Sequence, residues 1–153
     1  MDVSILEQVK IQAWVLVPLV QALEREPGTE RAHEIVSGAL GPLYRDAGER
    51  WWQEEGDGRL GDKLAAAFDG FGADAALTYT VTRQDDDGFD VDVTDCRYAQ
   101  FYQRIGVPEL GFLLTCGADF SMADGYGTDV VLTRSQTIME GASHCDFRYR
   151  RRG

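Results

Sequence analysis

The stretch "LTYTVTRQDDDGFDVDVTD", residues 77–95, decides the fold of this chain. On both sides of "QDDDG", apolar and polar residues alternate, which is the pattern of a strand with one buried face. Aspartates followed by a glycine are typical of a tight turn between two strands. The stretch therefore predicts a β-hairpin. A second strand pair is predicted from "VVLTRSQTIM" (130–139) and "CDFRYR" (145–150), which the turn "EGASH" joins.

Helical patterns fill the chain before the hairpin. Apolar residues recur at steps of three and four from residue 6 to 23 and again from 32 to 43, and "DKLAAAFDGF" (62–71) continues the pattern. A shorter helical piece is expected around Trp51 and Trp52. Pro18 predicts a kink or an interruption in the first helix, because proline removes a helix hydrogen bond.

The order of these elements predicts an α+β fold, with N-terminal helices packed on an antiparallel sheet built from two hairpins. We expect a single domain over residues 1–153, because the length suits one hydrophobic core. Residues 1–72 would form a mainly helical layer, and residues 73–153 a mixed part that carries all the cysteines. In the mixed part, "DCRYAQFYQRIG" (95–106) and "PELGFLLTCGA" (108–118) predict helices, and "DFSMADGYGTD" (119–129) predicts a loop.

The composition excludes several partners. Acidic residues number 26 against 15 basic ones, which gives a net charge of −11 and disfavours nucleic-acid binding. The cluster of Arg148, Arg150, Arg151 and Arg152 is expected to be a solvated end. No stretch approaches the ~20 apolar residues of a membrane span, so no membrane partner is expected. The absence of a secretory-signal pattern and the odd number of cysteines favour a reduced, cytoplasmic protein, and a homodimer is an open expectation.

The three cysteines fall at predicted element boundaries, where side chains can converge on a cleft. Cys96 precedes a helix, Cys116 ends the next one, and Cys145 begins the last strand. Free cysteine most often behaves as a small buried hydrophobe, so each of them also has a purely structural interpretation. Cys116 is the best candidate nucleophile, since Gly117 follows it and Asp119 lies about one turn away.

Zinc is the competing interpretation of the cysteines, because three thiolates and His144 would complete a tetrahedral site. The cysteines lie 20 and 29 positions apart, whereas structural zinc sites usually gain their ligands in close pairs. His144 and Cys145 are neighbours, and neighbours in a strand point to opposite faces. The spacing therefore disfavours a metal site, and no cofactor is expected.

Two further side chains are candidates for chemistry. His144 is the residue near the cysteines whose ordinary pKa is close to neutral, so it is either a general acid or base or a plain turn histidine. Arg134 lies in an otherwise neutral, strand-like run. A buried arginine is normally paired, either with a substrate carboxylate or with an acidic residue of the protein.

The segments "CRYAQFYQRIGVPELGFLLTCGADF" (96–120) and "LTRSQTIMEGASHCDFRY" (132–149) resemble the L-2-amino-thiazoline-4-carboxylic acid hydrolase family. The helical start of the chain is also similar to such proteins, so the resemblance covers most of the sequence. The residues that carry it are Cys96, Pro108, Glu109, Leu110, Gly111, Cys116, Asp119, Arg134, Thr137, Gly141, Cys145, Asp146 and Phe147.

The resemblance implies a hydrolase, or a cyclase running in reverse, acting on the C=N or amidine carbon of a small carboxylate-bearing heterocycle. A natural-product pathway is one setting for such proteins. Cys116 or a polarised water would attack the carbon, Asp119 would bond the exocyclic nitrogen, and His144 or Asp146 would move the proton. Arg134 would hold the carboxylate. The candidate catalytic set is Cys116, Asp119, His144 and Cys145, and the substrate-binding set is Arg134, Cys96, Tyr98, Thr137 and Asp146.

A fainter resemblance connects the chain with vinyl-reductase-type small-molecule-binding domains, some of which hold zinc through cysteines. It implies a second functional class, a non-catalytic binder of a small molecule. A third class, an interaction module, would require Trp51 and Trp52 to be exposed.

Overall fold

The computed structural model describes residues 2–152. Four strands form one antiparallel sheet in the order β1-β2-β4-β3. The strands are β1 (Leu77–Gln84), β2 (Gly88–Cys96), β3 (Val130–Thr133) and β4 (Cys145–Arg151). The hairpin predicted from residues 77–95 and the second antiparallel pair are confirmed, and the fold is α+β as predicted. The helical residues precede the sheet and also separate its two strand pairs.

Within the described residues, six α-helices accompany the sheet. They are α1 (Ile5–Arg25), α2 (Thr29–Glu54), α3 (Leu60–Phe71), α4 (Arg97–Arg104), α5 (Pro108–Gly111) and α6 (Ala118–Gly125). A π-helical turn over Phe112–Cys116 follows α5, and Gly117 connects this turn to α6. Helix α1 starts at an N-cap, where the Oγ of Ser4 accepts a hydrogen bond from the backbone N–H of Glu7 at 3.2 Å. It then runs through Pro18 without the interruption that the sequence predicts.

The alternating pattern of β2 places its apolar side chains on the buried face of the sheet. Phe89, Val91 and Val93 are buried there, and α3 covers them. The ring of Phe68 in α3 lies 5.2 Å from that of Phe147 and 5.6 Å from that of Phe89. Such aromatic pairs add to the area they bury, so this layer forms the main core.

The opposite face of the sheet carries charge. Diagonally across β2 and β4, Asp92 pairs with Arg148 at 2.8 Å and Asp90 pairs with Arg150, each two positions away from its register partner. Arg151 pairs with Asp129. Arg151 and Arg152 are exposed, as predicted for a solvated end. The cluster is nevertheless ordered, because β4 extends to Arg151 and three of its arginines pair with acidic partners on the surface.

Helix α6 lies where the sequence predicts a loop. One of the glycines that suggested a loop, Gly125, lies in α6 and serves its packing against α2, where Gly48 plays the corresponding part. A Cβ at Gly125 would overlap the carbonyl oxygen of Arg45, and one at Gly48 would overlap that of Met122. Small residues allow the two backbones to approach closely, and this approach keeps residues 118–125 helical.

Strand β3 is shorter than predicted, because the chain turns away from the sheet after Thr133. The carboxylate of Asp146 accepts the backbone N–H groups of Ser135 and Gln136 at 2.9 and 3.0 Å, which holds the turn. Arg134 therefore follows the strand instead of lying within it.

The two neighbouring tryptophans belong to α2, which is a single helix where a separate short piece was expected. Both indoles are partly buried against Tyr126, at ring-centroid distances of 5.8 and 4.8 Å. The ammonium group of Lys63 lies 3.8 Å from the centre of the Trp52 ring. The exposure that an interaction module would require of this pair is absent. In residues 2–152, no helix is long and apolar enough to cross a membrane.

Candidate functional site

A cavity of about 230 Å³ lies between α1, the buried face of the sheet and the segment that carries Cys116. Residues from both ends of the chain line it, among them Gln8 and Gln12 of α1, Phe68 of α3, and Phe147 of β4. The two glutamines are also exposed, so the cavity reaches the surface beside α1. Most of the wall is apolar, and its two charged groups, Asp119 and Arg134, lie beside Cys116. This composition is typical of a small-molecule site.

All three cysteines contribute to the wall of this cavity. Cys96 caps α4, where its Sγ accepts the backbone N–H of Ala99 at 3.4 Å. The Sγ of Cys145 accepts the backbone N–H of Ile138 at 3.2 Å. Cys116 is the last residue of the π-helical turn, a distortion that is frequent at functional sites. All three thiols are free.

The thiols are kept protonated at neutral pH. Burial raises the pKa of Cys96 to about 11 and raises the pKa of Cys145 above its ordinary value. Burial, reinforced by the negative charge of Asp119, raises the pKa of Cys116 well above its ordinary range, against the opposing effect of Arg134. A thiolate is the reactive form of cysteine, so none of the three is a ready nucleophile without a base.

An ion pair between Asp119 and Arg134 is the charged feature of the wall. Asp119 comes from the first turn of α6, and Arg134 follows the end of β3. The Nη1 of Arg134 donates to the Oδ2 of Asp119 at 2.8 Å, and its Nη2 donates to the carbonyl oxygen of Cys116 at 3.1 Å. The guanidinium therefore fixes both the carboxylate and the end of the π-helical turn.

Aromatic rings surround this guanidinium. Its central carbon lies 4.8 Å from the ring centre of Phe120, 5.2 Å from that of Phe147 and 5.9 Å from that of Phe112. Only 2 % of the Arg134 side chain is exposed, whereas 26 % of the Asp119 side chain is accessible. Cation–π contacts thus add to the ion pair and keep the arginine in place.

The carboxyl group of Asp119 has an unusual proton affinity. Burial raises its pKa from the ordinary 3.8 to about 6, although the charge and the hydrogen bond of Arg134 act in the opposite direction. A carboxylate with a pKa near neutral can both accept and return a proton under physiological conditions. Its Oδ1 accepts no hydrogen bond from any residue in the described range 2–152. Asp119 is therefore the best-placed proton acceptor on the wall.

Two other predicted binding residues line the cavity, but their hydroxyl groups form hydrogen bonds within the protein. The phenol of Tyr98 donates to the carbonyl oxygen of Phe71 at 2.8 Å. The hydroxyl of Thr137, which is 2 % exposed, donates to the carboxylate of Glu140 at 2.9 Å and accepts its backbone N–H at 3.2 Å. These contacts shape the wall and cap the turn that follows Thr137.

His144 and Asp146 lie outside the cavity wall. The Nδ1 of His144 lies 3.3 Å from the side-chain nitrogen of Gln136, in the turn before β4. Asp146 also accepts the hydroxyl of Ser135, in addition to the two backbone groups described above. Burial acts to raise the pKa of Asp146, but these hydrogen bonds outweigh it and lower the pKa. Both side chains form these hydrogen bonds with residues of the loop between β3 and β4.

Several wall residues were missed by the sequence analysis. Gln8 and Gln12 stand four positions apart on an otherwise apolar side of α1, and that interruption was a usable signal. Tyr44 and Tyr102 gave no such signal, because an aromatic residue at helical spacing is indistinguishable from core. Within residues 2–152, no group of three or more His, Cys, Asp and Glu side chains is placed to hold a metal ion.

The comparison with known families addresses the resemblance directly. The family model described as L-2-amino-thiazoline-4-carboxylic acid hydrolase matches residues 8–149 of the 153. The chain belongs to this family. The match spans both halves of the chain, so it includes α1 as well as the segments that carry the cysteines. The family name indicates a hydrolase. No curated protein matches the chain at a significant level.

Proposed function

We propose that this protein hydrolyses the C=N bond of a cyclic amidine in a small heterocycle, within the cavity that the three cysteines and Asp119 line. The observation that carries the proposal is the Asp119–Arg134 pair on an otherwise apolar wall, in a chain whose family is named for the hydrolysis of an amino-thiazoline. An amidine carbon is electrophilic when its nitrogens are protonated, and a neighbouring carboxylate stabilises that protonated form.

In the proposed reaction, one water molecule adds across the C=N bond and the ring then opens. Asp119 accepts the proton that the attacking group loses when the new bond to carbon forms. The same carboxyl group returns the proton to the ring atom that leaves when its bond to that carbon breaks. The elements of water are thereby added to the substrate. Arg134 acts as a positioning residue, because it holds Asp119 through Oδ2 and leaves Oδ1 free for the proton.

The attacking atom has two candidates. Cys116 can attack only if a base takes its proton, because burial raises the pKa of its thiol. Asp119 lies three positions later and is that base in the thiol route. In this route the ring opens from the Cys116 adduct, and water then adds to the same carbon and breaks its bond to Cys116, which restores the thiol. Alternatively, Asp119 activates water directly and Cys116 forms part of the wall. The proton-transfer role predicted for His144 is not part of the proposal, since its ring lies outside the cavity.

Turnover of L-2-amino-thiazoline-4-carboxylate and its uncharged analogues, followed by mass spectrometry, tests the proposal. We expect Asp119→Asn to lower kcat by roughly 10²–10⁴-fold, the usual contribution of a general base. The matched control is Asp124→Asn on the same helix, where the aspartate is exposed and lies off the wall. Wild-type rates in a folded Asp119→Asn protein would refute the proposal.

Cys116→Ser separates the two routes. A loss of turnover as large as that of Asp119→Asn assigns the attack to the thiol, because serine is the weaker nucleophile in this setting. Rates within a few-fold of the wild type assign the attack to water. Cys96→Ser serves as the control for removal of a wall thiol.

A second candidate function is a non-catalytic small-molecule binder. The observation that favours it is the set of three protonated thiols on a mostly apolar wall, because a binder has no need of a thiolate. Saturable binding of heterocyclic amidines without turnover by any of them would select this function over hydrolysis.

A further inference from the structure

The charge inventory of the cavity limits the ligand that it can take. Among the described residues that line it, two carry a formal charge at neutral pH, Asp119 and Arg134. Arg134 is thus the one cation available on the wall to receive a ligand carboxylate. Whether it is free to do so decides the chemical class of the ligand.

Arg134 is already committed to the protein. Two of its nitrogens donate to Asp119 and to the carbonyl oxygen of Cys116, and its side chain is 2 % exposed. The rings of Phe120 and Phe147 lie within 5.2 Å of its central carbon. A ligand carboxylate would compete with these contacts and would also lie beside the negative charge of Asp119. The net charge of −11 adds a long-range repulsion of anions.

The carboxylate of Asp119, by contrast, can accept further hydrogen bonds. Its Oδ2 accepts from Arg134, whereas Oδ1 accepts no hydrogen bond from the described residues, and 26 % of the side chain is accessible. An amidinium group offers N–H donors and a positive charge together. Charge-assisted hydrogen bonds of this kind are stronger than neutral ones. The free oxygen therefore matches a cationic head group.

The rest of the wall matches an apolar body. Phe68, Phe71, Leu77, Val93 and Phe147 line the side of the cavity formed by α3 and the sheet. Burying apolar ligand surface against them is favourable by roughly 25 cal/mol per Å², whereas an unpaired carboxylate placed there would lose its hydration without compensation. This side of the cavity therefore disfavours a second charged group.

We propose that the cavity selects a heterocycle that presents a protonated amidine to Asp119 and an uncharged, apolar substituent to the phenylalanine-rich wall, without a free carboxylate. The proposal rests on the proposed function, which makes this cavity the substrate site, and it narrows the substrate class. It departs from the acid in the family name, because the guanidinium that would hold that acid is occupied by Asp119.

Three matched ligands test the proposal by calorimetric titration of the whole protein at about pH 7.5, where carboxyl groups of ordinary pKa, including that of the free acid, are ionised. They are L-2-amino-thiazoline-4-carboxylate, its methyl ester and its benzylamide. The benzylamide is expected to bind at least about tenfold more tightly than the free acid, since it removes the anion and adds an apolar group. Asp119→Asn is expected to lower the affinity for the benzylamide by roughly tenfold or more, and Asp124→Asn is expected to leave this affinity unchanged.

Tighter binding of the free acid than of the benzylamide would overturn the proposal, and so would a lack of binding by all three ligands. Mass spectrometry of the same samples keeps the two proposals distinct. The expected binding order without hydrolysis supports the ligand class and refutes the enzymatic function. Hydrolysis with a preference for the free acid supports the enzymatic function and refutes the ligand class.

Discussion

The carboxyl group of Asp119 binds its proton more tightly in the folded chain than in the unfolded chain. Because the pKa is raised in the folded state to about 6, the folded protein binds more protons here between about pH 4 and 6. The stability that this group contributes is therefore present in acid and is lost as the pH rises through about 6. The difference from the ordinary value of 3.8 corresponds to at most roughly 3 kcal/mol of unfolding free energy.

Urea unfolding of the wild type and Asp119→Asn at about pH 4 and about pH 8 measures this contribution. Between the two pH values, the wild type should lose up to roughly 3 kcal/mol of unfolding free energy relative to the variant. The comparison between proteins cancels the titration of the other acids, such as Asp85, whose pKa the Arg83 side chain lowers to about 2. Parallel pH profiles of the two proteins would contradict the assigned pKa.

The buried thiols give a second prediction at this scale. At neutral pH, each cysteine of the folded protein should react with a thiol reagent at least about tenfold more slowly than the same chain in urea, because burial disfavours the thiolate. The rates should rise steadily with pH. Mass spectrometry of the modified peptides identifies each site. A cysteine that reacts rapidly at about pH 7 would contradict the protonated state described here.

The sequence predicted which residues line the cavity better than it predicted their contacts. Cys96, Cys116, Asp119 and Arg134 were singled out from motifs, and all four line one cavity. The role of Arg134 depends on a partner 15 positions away, so its spacing alone left a salt bridge and a substrate contact equally open. His144 was chosen for its neighbour Cys145, but adjacent residues point in different directions, and only the cysteine reaches the wall.

At the scale of elements, the contact between α2 and α6 depends on two glycines. Gly48→Ala and Gly125→Ala should each destabilise the protein by roughly 1–3 kcal/mol, because the added methyl group overlaps backbone atoms of the facing helix. Thermal or urea unfolding measures the change.

Gly38→Ala is the matched control for the glycine variants. Gly38 lies in α2, the helix that also holds Gly48, and a Cβ at Gly38 meets nothing within 4 Å. This variant should gain roughly 0.5–1 kcal/mol, the usual benefit of alanine over glycine inside a helix. Equal changes in stability at all three positions would show that helix propensity causes them, and not the contact between α2 and α6.

Elements with a clear periodicity of apolar residues are predicted correctly from the sequence. The hairpin at 77–95 has both the alternation and the turn, and a strand places Phe89, Val91 and Val93 together on one buried face. Helix α6 was missed because its glycines fit a loop as well as a close helix contact. The π-helical turn at Phe112–Cys116 carries no local signal, because its wider hydrogen-bond pattern depends on packing against the rest of the chain.

At the scale of the whole molecule, the helical first half and the mixed second half share their hydrophobic clusters. Ala13 of α1 packs with Tyr102 of α4, and Val20 packs with Leu110 of α5. Leu64 of α3 belongs to the cluster under the sheet. Neither half therefore has a complete core of its own, and the predicted single domain should unfold in one step.

Two probes on different halves test this cooperativity. All three tryptophans lie between residues 14 and 52, so their fluorescence reports on the first half. Hydrogen exchange of peptides from β2 and β4 reports on the second. The two urea midpoints should coincide, and a sheet that persists after the tryptophans become exposed would indicate two independent units. The expected homodimer stays a prediction, which the molar mass in solution would test.

The pairing of Arg134 with an acid of raised pKa has one more consequence. Asp119 carries a negative charge at neutral pH and becomes neutral below about pH 6. Mild acid therefore removes the negative charge from the wall and weakens the attraction of a cationic guest. A cationic guest loaded at neutral pH should then bind more weakly on acidification, without any change of fold.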